Sequence, residues 1–196
     1  MARTTVGVMA IVLMMTAGTA TQSDAAPDLE PVVVLHVTDD AHVSPGVLAE
    51  AEKQATHLYR AAGVRTVWAA GAAQTAQPDG SLHLDVVLVL NDKMASKTHS
   101  GEITEQAFGR TSRPTKRAYV FYNPTFDHAV HTGSNVACLL AAVIAHEVGH
   151  ILLPAGSHSK AGIMRATWYG RMLSVPGFTD DQGATMRRLL LAGSAN

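Results

Sequence analysis

Five consecutive residues, His146-Glu147-Val148-Gly149-His150, set two imidazoles and a carboxylate at a spacing that can do chemistry. On an α-helix four residues make about one turn, so both rings project from one face. Rings so placed can reach one metal ion at Zn–N distances of about 2.0–2.1 Å. Glu147 lies beside them, where it holds a water at the metal rather than the metal itself. From there it can take the water's proton as the water attacks a carbonyl. The competing reading is an amphipathic helix with two solvent-facing histidines. Against it, Val136 to Ala145 is almost wholly apolar, which implies a buried helix. Two histidines and a glutamate at its buried end each need partners, and a metal ion satisfies all three.

A catalytic zinc ordinarily takes three protein ligands and keeps one position open. His158 is the candidate third ligand by residue type and proximity. It follows His150 by eight residues, and Gly156 lets the chain turn back. No glutamate follows Glu147, which removes sites completed by a downstream glutamate. Asp180 and Asp181 fit better in a helix-capping pattern. His128 and His131, in the loop expected before the long helix, remain rivals. Cys138 is the only cysteine, so an intramolecular disulfide and a cysteine-based zinc cluster are both excluded. It precedes His146 by about two helical turns, too far to ligate. Met164, taken alone, is ordinary flexible core filler. Trp168 and Tyr169 could line a cleft, and Tyr169 could donate a hydrogen bond to an oxyanion. Their ordinary role is packing.

The run His-Glu-Val-Gly-His, then Gly156, His158 and Gly162-Ile163-Met164, resembles the metzincin clan of zinc metallopeptidases. Its pattern is H-E-x-x-H-x-x-G-x-x-H followed by a methionine turn. The resemblance covers about residues 146 to 169. It implies that His146, His150 and His158 hold Zn2+, that Glu147 is the general base, and that Met164 lies in a turn beneath the metal. The interval from His150 to His158 is two residues longer than the clan's pattern, and Leu153 stands at the usual glycine position, so the connection must bulge near Pro154. The likeness is to the clan and not to any one subfamily. It implies a zinc-dependent endopeptidase acting on peptides or proteins. A zinc-stabilised module that binds peptides without cleaving them, and a zinc hydrolase of another amide or ester, are the alternatives.

The elements that must position these residues are legible in outline. Val32 to Val37 is an apolar run interrupted only by His36, which suits a buried strand. Val43, Val47, Leu48, Ala51, Ala55, Leu58, Tyr59 and Ala62 recur at helical steps, with Ser44 and Pro45 at the start and Gly63 at the end. Val64 to Trp68 reads as a short strand, residues 71 to 80 as a loop, and Leu82 to Leu90 as an alternating strand. Residues 91 to 117 read as polar and irregular. Ala118 to Tyr122 is a strand stopped by Asn123-Pro124, and it looks like the edge strand that lines the metzincin cleft, where a peptide would pair main chain to main chain. Ser134 caps a long helix from Asn135 to about Leu153. Residues 154 to 174 show little periodicity. Thr179-Asp-Asp-Gln182 opens a last helix ending near Ala192. The expected fold is α/β (α+β): one mixed, twisted sheet with an edge strand over the cleft, a long active-site helix, a methionine turn and a C-terminal helix.

The beginning of the chain reads as a secretory signal peptide: Arg3, an uncharged apolar run from Val6 to Ala20, then small residues including Ala25 and Ala26. The run falls short of the roughly 20 residues a membrane-spanning helix needs. The expectation is therefore a leader over 1–26, a single catalytic domain over 27–196 with no further membrane span, and a secreted or periplasmic location. Of 196 residues 47% are hydrophobic and 16% charged, with net charge -1. This excludes disorder, and it argues against a nucleic-acid partner, which selects a basic surplus. Oligomeric state is not legible.

Overall fold

A computed structural model describes residues 30–72, 81–91, 107–168 and 170–193. The leader expected over 1–26 lies outside them, as does Tyr169. The elements run β1 (Val32–Asp39), α1 (Pro45–Ala61), β2 (Arg65–Ala70), β3 (Leu82–Val89), β4 (Gly109–Ser112), β5 (Arg117–Phe121), α2 (Tyr122–Thr132), α3 (Val136–Leu152) and α4 (Asp180–Gly193).

The five strands form one mixed sheet in the order β2-β1-β3-β5-β4. The first four in that order pair in parallel, and β4 runs antiparallel to β5. Alternation along the strands sends Val33, Leu35, Leu84, Val86, Leu88, Ala118 and Val120 to one face, where all are fully buried. Helices α1 and α3 pack on each other and against the sheet there. On α1, Pro45 takes the first-turn position, Ser44 is the N-cap without a side-chain hydrogen bond, and Gly63 leaves the helix at φ +74°. Helix α3 is buried nearly all round, from Ala137 through Gly149. The Tyr59 hydroxyl donates to the Ala145 carbonyl at 2.8 Å, tying α1 to α3 one residue before His146.

Four expectations need correction. The strand at 118–122 is not an edge: β5 lies between β3 and β4, and among the described residues the edge on this side is β4. That strand falls within the stretch read as irregular, because four residues, Gly-Arg-Thr-Ser, carry no apolar alternation to announce them. Asn123-Pro124 follows the end of β5 as read, but the chain goes on as α2 where a loop was expected. The pair sits in the first turn of α2, where proline's missing N–H costs nothing. The cap of α3 is Asn135 rather than Ser134, its side chain accepting from Cys138 N at 3.0 Å. The capping box at α4 forms as read: Thr179 N donates to Gln182 Oε1 at 3.0 Å, and Gln182 N donates to Thr179 Oγ1 at 3.3 Å.

Candidate metal centre

Helix α3 delivers His146, Glu147 and His150 at its C-terminal end. After Leu152 the chain leaves the helix, and Gly156 at φ +74° turns it back. His158 is thereby returned to the two helical rings. One ring nitrogen from each of His146, His150 and His158 lies within 4.8 Å of the others, a cluster that could hold a metal ion. No other such group of three occurs among the described residues. The ring centroid of His158 is 5.3 Å from that of His146 and 4.7 Å from that of His150. His128 lies on α2 and faces the same cleft, edge-on to Phe108. His131 is exposed at the end of α2, and Asp180 and Asp181 open α4. None of these joins the cluster.

The donor set suits a divalent cation. His146 Nδ1 lies 2.9 Å from the Ile163 carbonyl, which can only accept, so that nitrogen carries the ring proton. This leaves the lone pair on Nε2. His150 Nδ1 likewise has the Ser157 hydroxyl at 3.2 Å. The two Nε2 atoms are then 3.0 Å apart. Two lone pairs facing at that distance repel unless a proton or a cation stands between them. Tetrahedral nitrogens bound at ~2.05 Å to one ion sit roughly 3.3 Å apart, close to the spacing here. Burial pushes the His150 ring down to about 4, helped by the charges of His146, His158 and Arg113. Burial also lowers His146. Neutral imidazole is the form that ligates.

Segment 157–165 is pinned under α3. Ser159 N donates to the Met164 carbonyl at 2.8 Å, and Ile163 N donates to the Gly177 carbonyl at 2.9 Å. Gly162 turns at φ +75°, and a Cβ there would meet the Gly177 carbonyl at 2.6 Å. Met164 is fully buried. Its sulfur passes so close to Gly149 that a Cβ on that glycine would lie 2.6 Å from it. The turn thus supplies the Ile163 acceptor to His146 and places Met164 beneath the turn of helix between the two histidines.

Glu147 is 8% exposed. Burial raises its carboxyl to about 7, and the Thr111 hydroxyl, 2.7 Å from Oε2, pulls the other way. Thr111 and Gly109 come from β4, and Arg113, just beyond it, donates to the Leu153 carbonyl where α3 ends. Sequence reading missed all three. An isolated glycine marking close backbone approach was the sole available signal. These residues, Phe108, His128 and Trp168 line a cleft of about 1590 Å³ that includes the histidine cluster. Trp168 stands edge-on to His146, with centroids 5.3 Å apart, and stacks on Phe108 at 6.2 Å.

No family model matches this chain, and neither does any curated protein. Among solved structures, a zinc-dependent peptidase from Methanocorpusculum labreanum (strain Z) aligns over 80% of this chain and 99% of its own, with TM-score 0.45 and 10% sequence identity. A likeness at that level assigns neither a family nor an activity to this chain.

Proposed function

We propose that residues 27–196 are an exported, metzincin-like zinc-dependent endopeptidase, made with a signal peptide over 1–26 that is removed. The observation that carries the reading is the convergence of His146, His150 and His158 beside a buried carboxyl, within one open cleft. In this reading the three histidines hold Zn2+ and Met164 supports them from below. A bound zinc ion supplies a Lewis acid for the substrate carbonyl and an acidified water. Glu147 takes a proton from that water and passes it to the leaving amine nitrogen. A module that only bound peptides would have no use for a carboxyl kept in so poorly solvated a place.

The substrate strand pairs with β4. Phe121 N donates to the Phe108 carbonyl at 2.8 Å, so Phe108, Arg110 and Ser112 turn their main-chain groups toward β5. Gly109 and Thr111 turn theirs outward, unpaired among the described residues and open to an extended peptide. The peptide's carbonyl is then offered to the cluster across the cleft.

Glu147→Gln tests the assignment. The variant keeps its zinc and loses about 10²–10⁴-fold in peptide hydrolysis, the usual worth of a general base. Digestion of casein by zinc-loaded Glu147→Gln as fast as by the unaltered protein would exclude this mechanism.

A further inference from the structure

We propose that Thr111 is a positioning residue for Glu147, its hydroxyl fixing which carboxyl oxygen faces the cleft. The inference rests on the peptidase reading for its catalytic consequence, but its geometry stands apart from it. Thr111 Oγ1 lies 2.7 Å from Glu147 Oε2 and 2.8 Å from the Glu147 main-chain carbonyl. The hydroxyl is within hydrogen-bond distance of both the side-chain tip and the main-chain carbonyl of Glu147, and its single proton serves one of these acceptors at a time. A glutamate side chain has three rotatable bonds, and a hydrogen bond at its tip removes much of that freedom. Among the described residues Oε1 has no hydrogen bond, and it is not closed off from solvent. It is the oxygen left to meet a water.

Gly109 completes the holder. A Cβ at 109 would stand 2.5 Å from Glu147 Cγ and 2.8 Å from Cδ and Oε1, so the side chain passes through space that only glycine leaves open. Gly109 and Thr111 are alternate residues of one strand, so both face α3, while their main-chain groups face outward. The same two residues thus hold the base and present the edge on which a peptide would lie. Substrate register and base orientation are set by a single four-residue strand.

The test compares Thr111→Val, which keeps the shape and removes the hydroxyl, with Thr111→Ser, which keeps the hydroxyl. With zinc content equal to the unaltered protein, Thr111→Val lowers kcat about 10–100-fold and leaves KM within about twofold, because the loss is of alignment and not of binding. Thr111→Ser restores kcat to within about threefold. Unchanged kcat in Thr111→Val, or a Thr111→Ser as impaired as Thr111→Val, overturns the proposal. An unfolding cycle with Glu147→Ala reads the contact without reference to activity. Thr111→Val lowers the urea midpoint more in the unaltered background than where Glu147 is already alanine, since only the contact with the main-chain carbonyl at 147 survives that substitution. Equal shifts in both backgrounds overturn the contact. A protein that cleaves no peptide, yet shows the unequal shifts, overturns the peptidase reading and leaves the contact standing.

Discussion

An imidazole serves a metal well when its second nitrogen is already committed, and at His146 that commitment is to a main-chain carbonyl. The arrangement leaves a signature in the metal-free protein. His150 is held at about 4 and His146 also lies below the ordinary imidazole range, both chiefly by burial. As pH falls from about 6.5 toward 4, the unfolded chain takes protons that the folded rings refuse, so the fold loses stability. Glu147 acts in the opposite sense. Its carboxyl, raised to about 7 by burial, binds a proton in the fold while the unfolded carboxyl is still ionised, which favours the fold on acidification. Removing Glu147 takes away the larger opposing group, Glu52 being the other carboxyl that burial raises. In chelator, the urea midpoint of Glu147→Gln is expected to fall between pH 7 and pH 5; a midpoint that rose would contradict the burial described here. The pentad and His158 were legible because residue type and spacing alone imply convergence. Thr111, Gly109 and Ser157 were not, since each acts through a contact with a residue distant in sequence or across a turn.

At the scale of elements, the close approach of α3 to the turn carrying Met164 is a packing constraint with a measurable cost. Gly149→Ala places a methyl 2.6 Å from Met164 Sδ and 3.2 Å from a Phe178 ring carbon. Alanine gains up to about 1 kcal/mol of helix propensity, but overpacking of a buried contact costs about 1–3 kcal/mol. Thermal unfolding is therefore expected at a lower temperature than for the unaltered chain, and a raised midpoint would show that the turn yields freely. Met164→Leu, which conserves volume, should cost under about 1.5 kcal/mol. Of the elements read from sequence, β1 and α3 were marked by continuous apolar runs and α1 and β3 by their periodicity, while β2, β5 and α4 were placed within a few residues of their observed bounds. Helix α2 was hidden by Asn123-Pro124, a pair that ends a strand but also suits a first helical turn. Strand β4 was hidden by its shortness, and with it the true edge of the sheet.

Across the whole molecule the candidate site is a junction of parts far apart in the sequence. Helix α3 brings two rings and the base, segment 157–165 brings the third ring, and β4 covers the carboxyl. Helix α4 reaches back through Gln182, whose amide donates to Ser159 Oγ at 3.1 Å. A metal bound to all three rings closes this junction, so its removal should be felt far from the ion. At free zinc a thousandfold above its dissociation constant, the fold gains about 4 kcal/mol. Chelation is accordingly expected to lower the unfolding midpoint and to expose residues 154–165 to limited proteolysis, with zinc reversing both. A midpoint and a digestion pattern indifferent to chelator would remove the metal from the account.

The most direct measurement is X-ray absorption at the zinc edge on protein loaded with one equivalent of the metal. Three imidazole nitrogens at about 2.0–2.1 Å and one further light-atom ligand are expected, with one nitrogen lost in His158→Ala. A spectrum with only two imidazoles, or one unchanged by His158→Ala, would contradict the three-histidine centre.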